Sequence, residues 1–155
     1  MFSRLQFGLM AGVLAMSVGA GVAMAAMSAD EAIKARKTCM KMGHGGVMGV
    51  AVPIMKGEKP FDAAALKVAF DAEDVACKGY ADMWGVDTQK GDKEVTHAKA
   101  EIWSDRKGFD AAGGDWYKAE QAVRAATDEA SFKAVFPALG KSCQSCHEKF
   151  RAPLQ

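Results

Sequence analysis

Five residues in the last quarter of the chain, Cys143-Gln144-Ser145-Cys146-His147, have the types and spacing to do chemistry. Two thiols three positions apart lie one helical turn from each other, close enough to add to the two vinyl groups of one porphyrin. The next residue offers an imidazole to the iron. C-x-x-C-H is therefore read as an attachment signature for c-type haem, with Cys143 and Cys146 as the covalent anchors and His147 as the iron ligand. Two other chemistries use paired cysteines. A thioredoxin-like dithiol wants C-x-x-C opening a helix after a strand, but this pair lies inside a helical pattern. A zinc site draws four ligands, usually from two close pairs, and the other candidates, Cys39, Cys77, His44 and His97, are scattered singly.

A haem held this way needs a compartment in which it is attached and helices to enclose it. Residues 1–25 carry Arg4, then an apolar run from Phe7 through Val22, then Ala23-Met24-Ala25, a small-x-small cleavage site. This is the form of a cleaved signal peptide, and it predicts export to the periplasm, where disulfides can persist. An uncleaved anchor is the competing reading, because about 20 apolar residues can span a bilayer. After cleavage no stably inserted segment is expected. Residues 26–155 then form one domain. Lys and Arg number 20 against 19 Asp and Glu, so no overall charge directs the chain to nucleic acid or an anionic membrane.

Ser28-Ala29-Asp30-Glu31 has the S-x-x-E form of a capping box and predicts a helix start. Ile33, Met40, Val47 and Ile54 recur every seven residues and predict one apolar stripe along that helix. Gly43, Gly45, Gly46 and Gly49 weaken its second half by up to about 1 kcal/mol each relative to Ala. Pro53 falls in its last turn, and Lys56-Gly57-Glu58-Lys59-Pro60 follows as a turn. A second helix is predicted from Phe61 to Met83, with Leu66, Phe70, Cys77 and Tyr80 or Ala81 inward, then a long connection from Trp84 to Val95. A third is predicted from Ala98 to Ala126 on Ile102, Phe109, Trp116 and Val123, with a bend at Gly113-Gly114. The fourth starts near Asp128. Its Phe132, Phe136, Leu139, Cys143, Cys146 and Phe150 step by four and three, which puts the thiols on the apolar stripe and a haem against Phe136 and Leu139. Pro137 predicts a kink in it. No strand-like alternation occurs, so the fold class is an all-α four-helix bundle around covalently bound haem c, preceded by a signal peptide.

The chain resembles a class II c-type cytochrome, the cytochrome c′ and cytochrome c556 family. The matching segments are Ala32-Ile33-Lys34-Ala35-Arg36 with Met40 four residues on, Lys56 through Asp62, Glu101-Ile102-Trp103-Ser104-Asp105, and Gly140 through Arg151. The resemblance implies one covalent haem c, with Cys143 and Cys146 as thioether anchors and His147 as proximal ligand. It further implies Arg36 beside a haem propionate, Lys99 as a second propionate partner, and Arg151 near the proximal imidazole. On composition alone, Arg36 is a solvated helix charge. Members of the family often dimerise through the first two helices, so a homodimer is among the expectations.

Met40 separates two activities. Bonded to iron, its thioether closes the sixth site and raises the potential, as suits single-electron transfer with redox partner proteins. Packed unbonded over the haem, it leaves a pocket for NO or CO. The turn from Lys56 to Asp62 looks more like the c556 branch, and the Gly43 to Gly49 cluster would let the first helix approach the haem, so ligation by Met40 is the expectation. Met42, Met48 and His44 are alternatives. Cys39 and Cys77 each lie 19 residues from Glu58, so an antiparallel hairpin sets them at one height, where either a disulfide or two buried thiols fits. Lys141, Lys149 and Arg151 crowd the haem-bearing helix, as a docking face or simply a solvated one. Nothing resembles an acid/base pair or nucleophile triad, so no enzyme is expected. A helical bundle that binds a partner without haem is the reading from another class.

Overall fold

The computed structural model describes residues 27–153, so the predicted signal peptide, residues 1–25, lies outside the described residues. Four rods follow one another. The first is made of α1 (Ala29–Thr38), a π-helical stretch (Cys39–His44) and α2 (Gly45–Met55). The second is α3 (Ala63–Ala76), the third is α4 (Glu101–Ser104) with α5 (Arg106–Arg124), and the fourth is α6 (Glu129–Phe150). Among the described residues no helix is long and apolar enough to cross a membrane. The all-α bundle stands as expected.

The predicted capping box starts α1: Ser28 Oγ accepts from Glu31 N, and Ser28 N donates to Glu31 Oε2 at 2.9 Å. The seven-residue repeat behaves differently from expectation. Ile33, Val47 and Ile54 are buried, but only Val47 and Ile54 join the same cluster. A π-helical stretch bonds i to i+5 and turns more slowly than an α-helix, so it rotates the buried side between α1 and α2. α1 packs on the connection after α3, whereas α2 packs on α3 and α6. Gly57, at φ 74°, makes the turn that leaves α2, a conformation in which only glycine carries no steric penalty.

Asp62 caps α3 by accepting from Ala65 N at 2.9 Å. This helix ends at Ala76 rather than Met83, because Gly79 takes a left-handed conformation (φ 74°). Two 3-10 turns follow: Tyr80–Trp84 replaces the end of the predicted second helix, and Val86–Thr88 lies in the predicted connection. The third rod breaks at Asp105, not at Gly113-Gly114. Asp105 leaves helical geometry (φ −118°, ψ 58°) and its carboxylate accepts from Gly108 N at 3.0 Å, restarting the helix as α5. α6 runs as one helix from Glu129 to Phe150 with Pro137 inside it. Packing of Phe132, Phe136 and Leu139 into the core holds that stretch helical despite the missing donor.

Two buried clusters result. The first joins Val47, Ile54, Leu66, Phe70, Val123, Phe132, Phe136 and Leu139. The second, mostly aromatic, joins Met83, Trp84, Ile102, Phe109 and Phe150 around Cys39. Each fully buried large side chain contributes about 1.5–3 kcal/mol, so the two clusters together fix how α6 sits against the other rods. The end of α6 is also clasped: Lys99 N donates to Phe150 O at 2.9 Å and Ala152 N to His97 O at 2.7 Å.

Candidate functional site

α6 delivers Cys143, Cys146 and His147 together, all three half-buried. The two thiols face different clusters. Cys143 borders the first, beside a small gap lined by His44, Met48, Trp116, Glu120 and Leu139. Cys146 borders the second, where Met40, Tyr80 and Trp103 also lie. Cys143 thus borders the cluster that contains Phe136 and Leu139, and Cys146 does not. Burial pushes both thiols up, with Ser142 opposing the shift at Cys143. Burial, assisted by the charges of Arg151 and His44, pushes the His147 imidazole down, which favours its neutral form. Tyr80 is pushed up to about 12, chiefly by burial and then by the neighbouring Cys146.

The structure sets Met42 and His44 apart from Met40, whereas Met48 borders the cluster that receives Cys143. Met42 points outward at 61% exposure. Met48 packs on the first cluster. The imidazole of His44 is engaged on both nitrogens, with Nδ1 on Glu73 Oε1 and Nε2 3.6 Å from Cys39 Sγ. Met40 is half-buried at the border of the cluster that also receives Cys146. Within the glycine cluster, Gly43 is the one that closely approaches another rod, at Cys77, the C-cap of α3.

Arg36 is 5% exposed, so the composition-based reading of it as a solvated charge is overturned. Its guanidinium lies 4.8 Å from the Trp84 ring centroid and 5.7 Å from that of Trp103, and Nη2 donates to Thr88 O at 2.8 Å. Nε and Nη1 are buried with no partner. Burial alone lowers its proton affinity. Lys99 Nζ donates to Glu148 O at 2.9 Å, and Arg151 is exposed, one turn past His147, in an isolated bridge with Ala98. Lys149 pairs with Asp105 at 2.6 Å, which leaves Lys141 and Arg151 to carry the basic surface of α6.

The donor set suits a covalently held haem. Protonated, half-buried thiols can add across vinyl groups, a neutral imidazole has a lone pair to give, and two unpaired N–H groups of a buried guanidinium call for an anion such as a carboxylate.

Cys39 and Cys77 form a disulfide, with Cα atoms 4.6 Å apart, as equal distances from the turn allowed. One group of residues escaped the sequence reading altogether. Glu73 and Glu120, each 3% exposed, lie inside with His44 and Arg124. Arg124 Nε bonds Glu120 Oε1 at 2.5 Å, and its Nη2 pairs with Asp74 at 2.7 Å. Burial raises the Glu120 carboxyl against the pull of Arg124, and Glu73 adds to the rise. The signal was present: Glu73 falls between Phe70 and Cys77 on the inward stripe of α3, and Glu120 between Trp116 and Val123 on that of α5.

A family model described as Cytochrome C' matches residues 31–151. The chain is 35% identical over 148 residues to a cytochrome c′ of Cereibacter sphaeroides, covering 90% of this chain and 96% of that one. It is 34% identical over 139 residues to a cytochrome c-556 of Agrobacterium fabrum, covering 88% and 91%. Among solved structures it is similar to cytochrome c′ from Rubrivivax gelatinosus, with a TM-score of 0.71, 29% identity and coverage of 80% and 97%. A nitric oxide complex of a mutant cytochrome c prime from Alcaligenes xylosoxidans gives a TM-score of 0.69 at 26% identity, covering 81% and 98%.

Proposed function

The chain belongs to the cytochrome c′ family, whose members carry covalently attached haem c, and from that premise we propose an exported single-electron carrier that works in the periplasm with redox partner proteins. In this reading Cys143 and Cys146 hold the haem, His147 is the proximal ligand and Met40 the distal one. A haem held there would supply a one-electron ferric/ferrous couple. The protein's own residues do the rest. Burial keeps the thiols protonated for addition to vinyl groups and keeps the imidazole of His147 neutral, with a lone pair free. The unpaired Nε and Nη1 of Arg36 would take a propionate, and the Trp84 and Trp103 rings fix its plane. Lys99 and Arg151 stand at the proximal end of α6, positioned by the clasp between residues 97–99 and 150–152.

One observation carries the distal assignment: Met40 and Cys146 border the same buried cluster, while Met42 is exposed and His44 is engaged elsewhere. A bound thioether closes the sixth position and raises the potential. The second reading, a five-coordinate NO- or CO-binding protein with Met40 packed unbonded, is favoured by the nitric oxide complex among the similar structures. Optical spectra of both oxidation states, with and without CO, separate the two. The carrier shows a thioether-to-ferric charge-transfer band, resists CO when reduced, and changes spin state in Met40→Ala. A spectrum without that band, with CO binding freely to the wild type, refutes distal ligation and leaves the gas-binding reading.

A further inference from the structure

Three side chains that the sequence scatters meet at the junction of the first two rods. Cys39 Sγ, Cys77 Sγ and one ring nitrogen of His44 all lie within 4.8 Å of one another. Two features of the chain bring them together. Cys39 and His44 are five residues apart, and the π-helical stretch that contains both bonds i to i+5, so they lie on the same side of the rod. Gly43, having no side chain, lets Cys77 come against that rod. The imidazole is also oriented as in a metal site. Its Nδ1 faces the Glu73 carboxylate, buried at 3% exposure, and its Nε2 faces Cys39 Sγ at 3.6 Å. A carboxylate on one ring nitrogen fixes the tautomer and turns the other nitrogen's lone pair to the metal. Trp116 packs on the imidazole in a T-shaped arrangement, with ring centroids 4.8 Å apart.

We propose that Cys39, Cys77 and His44 form a three-ligand site for Zn2+ or a similarly thiophilic divalent cation, open when the two cysteines are dithiols and closed when they are joined. Two thiolates, one imidazole and one water complete a tetrahedral sphere. The switch balances as a thiol–disulfide exchange. An external dithiol gives two electrons and two protons to the Cys39–Cys77 bond and becomes a disulfide itself, leaving two thiols. The cation then displaces one proton from each thiol and takes the lone pair of His44 Nε2. Glu73 is a positioning residue, since it touches the imidazole and not the metal. The site uses none of the C-x-x-C-H residues, although His44 lines the same small gap as Cys143.

The test uses the mature holoprotein. One sample keeps its disulfide, and another is reduced with dithiothreitol and desalted without oxygen. Each is titrated with Zn2+ by calorimetry, and the reduced sample is examined with 113Cd by NMR. The expected result is one equivalent bound by the reduced protein only, a cadmium shift in the range of sulfur ligation, and loss of binding in Cys39→Ser/Cys77→Ser. Glu73→Gln should weaken binding about 10- to 100-fold without abolishing it. Equal binding by oxidised and reduced protein overturns the proposal. So does no binding to reduced protein, binding that survives the double serine variant, or loss of the far-UV helical signal on reduction.

Discussion

Replacing Gly43 by alanine should destabilise the fold, whereas the same change at Gly46 or Gly49 should stabilise it. All three lie in the first rod, where alanine is preferred to glycine by up to about 1 kcal/mol because it has less backbone freedom to lose. At Gly46 and Gly49 an added Cβ meets nothing within 4 Å, so each change should gain roughly 0.5–1 kcal/mol. At Gly43 the Cβ would stand 2.8 Å from Cys77 Sγ, 3.4 Å from Glu73 Cγ and 3.5 Å from Ala76 Cβ. Cys77 cannot swing aside, because its sulfur is bonded to Cys39. Overpacking of this kind costs about 1–3 kcal/mol. Set against the propensity gain, Gly43→Ala should lose up to about 2 kcal/mol. Urea unfolding followed by far-UV circular dichroism, at unchanged m-value, reads the difference directly. A Gly43→Ala protein as stable as Gly46→Ala would refute the close approach of the first rod to α3.

Two further outcomes follow from the same corner of the bundle. Cys39 and Cys77 close a loop across a separation of 38 residues, so Cys39→Ser/Cys77→Ser should cost about 4 kcal/mol in the chain-entropy model. Denatured, unreduced wild type should then show no titratable thiol from this pair, and a count of two would remove the bridge. Glu120 is held above the ordinary glutamate value of 4.5, first by burial, and sits among Glu73, Arg124 and His44. The native state therefore binds its proton more tightly than the unfolded chain does, and stability falls as pH rises from that ordinary value through the raised one. In Glu120→Gln this slope should flatten, so the variant gains on wild type across that interval. Parallel melting-temperature profiles for the two proteins would contradict it.

The four-rod plan and the stripe of α6 that carries the two thiols were legible because both rest on periodicity and on short-range chemistry. Ser28 and Asp128 could be read as helix starts from their own types. The breaks were less legible. Asp105 ends one helix and caps the next through its own carboxylate, while the more conspicuous Gly113-Gly114 pair is tolerated inside α5. Likewise the stripe from Ile33 to Ile54 reads as continuous, because nothing in residue types announces the slower turn of Cys39–His44. Arg36 was misjudged on composition since its burial depends on Trp84 and Trp103, distant in sequence. The meeting of His44 with Cys39 and Cys77 depends on that same slower turn and on a partner rod, which is why the three looked unrelated.

The π-helical stretch has a consequence for how this rod tolerates changes in length. Lys41 and Met42, within it, face solvent. A chain shorter by one of them could close the same stretch with ordinary four-residue backbone bonds, and α1 and α2 would keep the orientations they now have. Cys39 and His44 would then be four apart instead of five and Met40 would shift its heading, while the Ile33 and Val47 contacts survived. Gain or loss of a single residue there would retune the chemistry carried on one rod and leave the bundle's architecture as it was.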